Sequence, residues 1–206
     1  MTGGAPVGDG WEPFFDGTED RGPRPLLITA LELAGPAPEG GIALELGCGS
    51  GIETLALLEA GWSVRAMDGS HEGVRRTVER AAAAGLADRL VAEAAPFEEY
   101  TVPSADLVYA GVSLPFCHAD HFPRVWAEIR AGLHPGGLLA VQLFGVRDTW
   151  AGTPGMNFHT TEDVERLLDG LDVVRLDEED EDGSSFSGPK HWHVFDVVAR
   201  RPAGGG

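Results

Sequence analysis

The chain has 206 residues, the length of one domain that can bury about 70% of its unfolded surface. Hydrophobic residues make up 43% and charged residues 23%, which excludes global disorder, and no apolar run approaches the roughly 18 to 20 residues of a bilayer span. With 33 acidic against 15 basic residues the formal charge is -18, which repels phosphate backbones and anionic lipid surfaces, so neither nucleic acid nor a membrane is an expected partner.

The opening stretch Met1 to Asp9 has neither the cationic nor the apolar region of a secretory signal, which predicts a cytoplasmic protein with Cys48 and Cys117 as free thiols. A flexible segment and candidate lid is expected over 1–22, one domain over 23–201 and a disordered tail over 202–206. The first helix of the domain is read near Pro25 to Leu33. The apolar run Ile42 to Leu46 then meets the glycines Gly47, Gly49 and Gly51, the pattern of a buried strand entering a tight turn. A helix from Ile52 to Ala60 ends at Gly61, and Trp62 to Met67 is a second strand. His71 to Ala84 is a helix, Arg89 to Glu93 a strand, and Asp106 to Ala110 a fourth, central strand.

Asp120 to Leu133 reads as a helix stopped by the turn His134-Pro135-Gly136-Gly137, before a fifth strand from Leu138 to Phe144. Thr160-Thr161-Glu162-Asp163 is a capping box opening a helix to Leu168. Leu171 to Leu176 and His191 to Ala199 are the last strands, and the acids Asp177 to Asp182 fall in a solvated loop between them. Alternation of strands and helices implies right-handed crossovers and a parallel sheet covered on both faces, whereas a hairpin makes the last two strands antiparallel. The expected fold class is α/β, a Rossmann-like doubly wound seven-stranded sheet with six parallel strands and one antiparallel.

The motif Glu45-Leu46-Gly47-Cys48-Gly49-Ser50-Gly51 joins a strand end, a glycine loop and a helix start, where the backbone can approach a ligand closely. Asp68 lies 21 positions beyond Gly47 at the end of the second strand, where an acid can accept both hydroxyls of a ribose. Together they describe a nucleoside pocket. A dinucleotide site would use the helix N-terminus for a pyrophosphate, but this loop opens on the carboxylate of Glu45, which suits a cationic ligand.

With these residues the chain resembles the class I S-adenosylmethionine-dependent methyltransferases, of a small-molecule or tellurite-resistance-like branch. ELGCGSG is similar to the family's first motif, and ADLVYAGVSLPF and LHPGGLLAVQLF to its fourth and fifth, over roughly Leu26 to Arg200. The resemblance implies S-adenosylmethionine as cofactor. Glu45 would then order the methionine ammonium, Gly47, Cys48 and Gly49 line the methionyl and ribose portion, and Asp68 hold the ribose, flanked by Gly69 and Ser70. Glu93 and Ala94 would edge the adenine, and Gly111 face the sulfonium. Ser113-Leu114-Pro115-Phe116 lacks the leading Asn or Asp of enzymes that methylate planar amino groups, which points to a small-molecule acceptor instead.

His118 and His121 follow the fourth strand and are the candidate bases, since an imidazole titrates near neutrality. Trp11, Phe15, Ser113, Phe116 and His159 are the candidate substrate contacts, and Asp148 to His159 is a second candidate lid. His191 and His193 project from one strand face, where pairing with the acidic run is expected and no metal. Cys48 and Cys117 are expected near each other. The expected activity is methyl transfer to a small molecule by a monomer or homodimer, with placement outweighing any single base. The alternative is a protein of this fold that binds the cofactor for other chemistry, such as a cyclase. A nicotinamide dehydrogenase is disfavoured by the GxGxG spacing.

Overall fold

The structure is a computed structural model and describes residues 10–186 and 188–204. Helices α1 (Glu12–Thr18) and α2 (Pro25–Ala34) precede β1 (Ile42–Leu46), α3 (Ile52–Glu59), β2 (Ser63–Asp68), α4 (His71–Ala83) and β3 (Leu90–Ala94). There follow β4 (Ala105–Ala110), α5 (Phe122–Gly132), β5 (Leu133–Phe144), α6 (Thr161–Leu167), β6 (Asp172–Ser185) and β7 (Gly188–Arg200). Local chemistry sets the boundaries. Pro25 occupies the first turn of α2, where a missing N–H costs nothing, and Gly35 closes it at φ +71°. Thr160 and Asp163 form the reciprocal capping box that opens α6.

One sheet runs in the order β3-β2-β1-β4-β5-β7-β6. Every pairing among the first five strands of that order is parallel, and β7 runs antiparallel to both β5 and β6. Side chains alternate between two cores. Leu27, Leu57, Leu58 and Trp62 pack with Leu107 on one face, while Trp126, Ile129, Val164 and Leu168 pack with Leu44 and Val108 on the other. Because β1 and β4 are largely buried on both faces they read as mostly apolar runs, interrupted by Glu45 and Asp106. The chain reverses direction across the sheet between β1 and β4, and at such a switch point the carboxyl ends of the strands leave a crevice.

Three expectations change. The sequence His134-Pro135-Gly136-Gly137 does not precede the fifth strand but lies within β5, absorbed by a register shift between the pairs Ala105–Leu133 and Leu107–Leu138. The acidic run Asp177 to Asp182 is not a loop: it is the middle of β6, paired residue by residue with His191 to Asp196 of β7. As the outermost strand, exposed on both faces, β6 has no apolar alternation to announce it. Cys48 and Cys117 are free and buried as expected, but they pack in different cores. Expectations for 1–9 and 205–206 fall outside the described residues; the described part of the N-terminal segment contains helix α1.

Candidate functional site

The glycine loop after β1 is shaped by its neighbours. Gly47, Gly49 and Gly51 all take positive φ, at +84°, +52° and +83°. A Cβ on Gly47 would lie 2.2 Å from the Cβ of Ser113, so any side chain there would displace the segment after β4. The amides of Gly47 and Cys48 donate to the Met67 carbonyl at 2.8 and 3.0 Å, tying the loop to the end of β2. Asp68 completes the tie: its two carboxylate oxygens accept from the amides of Gly49 and Ser70, each at 2.8 Å. Burial raises the Asp68 pKa, and these two amides oppose the rise. A Cβ on Gly69, next in the chain, would meet open space.

A second group of charges lies toward the switch point. Glu45 and Tyr109 are direct partners across the β1–β4 ladder, which puts both side chains on the same face. Glu45 is 1% exposed and accepts from the Thr54 hydroxyl; burial, with Glu53 adding like charge, pushes its carboxyl well above the usual range. Glu53 is held by the fork of Arg21 at 2.5 and 2.8 Å. Two donors are left over. Neither Arg21 Nε nor the buried Tyr109 hydroxyl has a partner among the described residues, although both side chains line the crevice. A Cβ on Gly111 would fall 2.3 Å from that hydroxyl oxygen.

The remaining wall is aromatic. Trp11 meets Phe116 edge to face at 4.8 Å between centroids and Phe14 at 5.8 Å, and Phe14 meets Phe186 of the β6–β7 tip at 5.9 Å. Trp150 lies 6.2 Å from Phe116 and from Trp192. Phe15 fastens α1 over the loop, buried against Gly49 and Gly73 beneath the Arg76 guanidinium. Behind the wall, Lys190 and Asp148 form a fully buried ion pair, with the ammonium 3.8 Å from the Trp192 centroid and 4.5 Å from that of Trp150. The whole encloses a cavity of about 580 Å³.

Twelve of the residues expected from the sequence line this cavity: Glu45, Gly47, Cys48, Gly49, Asp68, Gly69, Ser70, Gly111, Trp11, Phe15, Ser113 and Phe116. Five do not. Glu93 and Ala94 lie within β3, and Pro96, Phe97 and Glu98 just beyond them reach the cavity. The 3₁₀ turn Leu114–Phe116 keeps Phe116 inside while the chain after it turns outward. His118 and His121 are exposed there and meet edge to face at 5.8 Å between centroids. His159 is buried, its Nε2 at 2.8 Å from the Asn157 side chain and its ring against Phe122, and burial lowers its pKa. His191 pairs with Asp180 and Asp182, and His193 with Glu178, as the alternation predicts. No cluster able to hold a metal occurs among the described residues.

Sequence reasoning missed Arg21, Tyr109, Phe186 and Trp192. Tyr109 did carry a signal, since a tyrosine near the end of a buried central strand has a hydroxyl that needs a partner. The other three come from segments distant in sequence.

Residues 43–137 match the family described as "Methyltransferase domain". A curated relative, hemagglutinin 1 of Eikenella corrodens, is 36% identical over 97 residues, covering 46% of this chain and 31% of that protein; the chain thus spans under a third of it. Among solved structures, TehB from Haemophilus influenzae superposes with a TM-score of 0.77 at 14% identity, covering 91% of this chain and 65% of that one. A SAM-dependent methyltransferase from Methanosarcina mazei superposes with a TM-score of 0.66 at 18% identity, covering 88% and 99%.

Proposed function

We propose that the chain is a class I S-adenosylmethionine-dependent methyltransferase that binds S-adenosylmethionine in this cavity and transfers the methyl group to a small-molecule acceptor, a reading supported by the methyltransferase-domain match over residues 43–137 and by the shared fold of the solved structures. The observation that carries the reading is the division of the cavity into matched polar stations. Asp68, oriented by two amides, offers free lone pairs beside the open space at Gly69, as ribose hydroxyls require. Glu45 offers a carboxyl for an ammonium group, and the unpartnered Arg21 Nε and Tyr109 hydroxyl offer donors for a carboxylate. An amino-acid group and a nucleoside are the two ends of this cofactor, so the residues present fit it.

When bound, the cofactor supplies an activated methyl group on a sulfonium. The chain supplies position. Gly47 and Gly111, without side chains, make room for Ser113 and the Tyr109 hydroxyl to pack beside the cavity, and Phe15 on α1 and Trp11 just before it shield the cavity from water. Alignment of the acceptor atom with the methyl carbon replaces a bimolecular encounter and supplies several kcal/mol. No histidine occurs among the described lining residues, which supports catalysis by placement. The test is calorimetric titration with S-adenosylhomocysteine, followed by turnover assays of the His118→Ala and His121→Ala variants. Tight binding with turnover retained within about tenfold supports the reading, and a loss beyond about 10³-fold with binding intact would name a base. Absence of binding would overturn the proposal.

A further inference from the structure

We propose that the acceptor is an apolar aryl thiol or acidic phenol, seated against the aromatic wall, and that its own ionisation rather than a protein base exposes the nucleophile. This rests on the methyl-transfer reading above and goes on to name the substrate class.

The polar and aromatic parts of the cavity are segregated. Arg21, Arg24, Glu45, Glu53 and Asp68 come from the α1–α2 connection, α2's leading edge, β1, α3 and β2, the stations assigned to the cofactor. The opposite part is formed by Trp11, Phe14, Phe116, Trp150, Phe186 and Trp192, joined by edge-to-face contacts at interplanar angles of 83° to 89° for three of the pairs. A ring inserted among such edges and faces gains offset and edge-to-face contacts, beyond the area it buries.

Two other acceptor classes fit poorly. A small oxyanion needs a cation, and the nearest on this side, Lys190, is buried, committed to Asp148 and absent from the cavity lining. A protonated amine would suit an aromatic box, but the box formed by Trp150, Trp192 and Phe144 already holds the Lys190 ammonium, at 3.8 to 4.9 Å from the three centroids. A second cation would meet rings whose electrons are already drawn to the first.

Among the described residues that line this end there is no base, and His118, which lies against Gly155, is not one of them. The Ser113 hydroxyl donates to the Leu46 carbonyl, and the described aromatic lining carries no imidazole or carboxylate. The acceptor proton therefore goes to solvent before attack, which demands a thiol or hydroxyl that ionises near neutral pH. A lone pair of the thiolate or phenolate then forms the new bond to the methyl carbon. The bond from that carbon to the sulfonium breaks, its electron pair stays on sulfur, and a neutral thioether is released with a neutral methylated aryl product. Because opposite charges vanish in this step, low-dielectric surroundings favour it.

The test uses 4-nitrothiophenol, 4-nitrophenol, selenite and benzylamine as probes. Calorimetry with S-adenosylhomocysteine already bound should show the aryl probes binding at least about tenfold tighter than the others. Turnover with S-adenosylmethionine should yield methylated aryl products. Trp11→Ala lies at the start of a surface helix and should weaken aryl binding about fivefold while changing S-adenosylhomocysteine affinity less than twofold. Rates for phenols of increasing pKa should show pH midpoints that rise with the phenol. A midpoint common to all acceptors, tighter binding of selenite or benzylamine, an unchanged Trp11→Ala, or no aryl binding or aryl product would each overturn the proposal and leave the cofactor reading standing. Failure of S-adenosylhomocysteine to bind would instead remove the reading beneath it.

Discussion

Replacing Asp68 by alanine should separate the structural and ligand-binding duties of one carboxylate. In the folded protein its oxygens hold the amides of Gly49 and Ser70 at 2.8 Å each, so the variant leaves two inward N–H groups without their acceptor. An unsatisfied buried donor costs about 1 to 3 kcal/mol, and water entering from the open side at Gly69 should keep the total within that range. For a chain of this size that corresponds to a melting temperature about 2 to 12 °C lower. The ligand also loses a charged acceptor, about 1.5 to 3 kcal/mol partly restored by water, so S-adenosylhomocysteine should bind roughly 10- to 100-fold more weakly. Asp68→Asn keeps one acceptor oxygen and should fall between. Calorimetric titration gives the affinity and thermal melts of the ligand-free protein give the stability. An affinity within twofold of the parent would remove Asp68 from the ligand contacts, and an unchanged melting temperature would refute the role given to its two amide bonds.

Tyr109→Phe should weaken S-adenosylhomocysteine binding roughly 3- to 10-fold without lowering the melting temperature, because the hydroxyl it removes is buried and unpartnered among the described residues. A lower melting temperature with unchanged affinity would show that the hydroxyl serves the fold instead. Lys190→Met should destabilise by about 3 to 5 kcal/mol, since it strands the buried Asp148 carboxylate, and adding Asp148→Leu should recover much of the loss in denaturant unfolding. No recovery would refute the pairing. Glu45 has its pKa raised by burial and by Glu53; a cationic group placed beside it lowers that pKa, so binding releases a proton and affinity rises with pH across the raised range. Titrations in buffers of different ionisation enthalpy should give different binding heats, and identical heats would exclude the linkage.

The parts of the site visible in the sequence were those carried by contiguous residues. The glycine loop and Asp68 announce themselves because a turn between strand and helix needs positive φ at fixed positions and an acid follows at the next strand end. Trp11 and Phe116 were legible as substrate contacts and Trp150 as part of a lid, but their union with Phe186 and Trp192 into one wall was not, because these residues come from separate segments that only the fold brings together. His118 and His121 show the converse. They adjoin β4 in the sequence, yet the 3₁₀ turn beginning at Leu114 sends them to the surface. Seven strands with one antiparallel followed from alternation and the final hairpin, but charge alone hid the length of β6. Strand pairing depends on backbone groups, and the carboxylates of an edge strand can stand in water on either side.

That acidic edge strand also bears on whether a second sheet can add to this one. An outer strand of 14 residues with open backbone donors and acceptors is a template on which a second copy can add its own strand. On β6, alternation sends Glu178, Asp180 and Asp182 toward Arg147, His191 and His193, leaving Asp177, Glu179 and Glu181 for the opposite face, where Arg175 offsets the first. A matching edge would bring like carboxylates to the ladder spacing of about 4.8 Å, where each uncompensated pair repels by roughly 1 kcal/mol even in bulk water. The run is thus a terminator for sheet growth at this edge, opposite the edge formed by β3. Acid and high salt weaken it, and under those conditions filament-like association would begin at this edge.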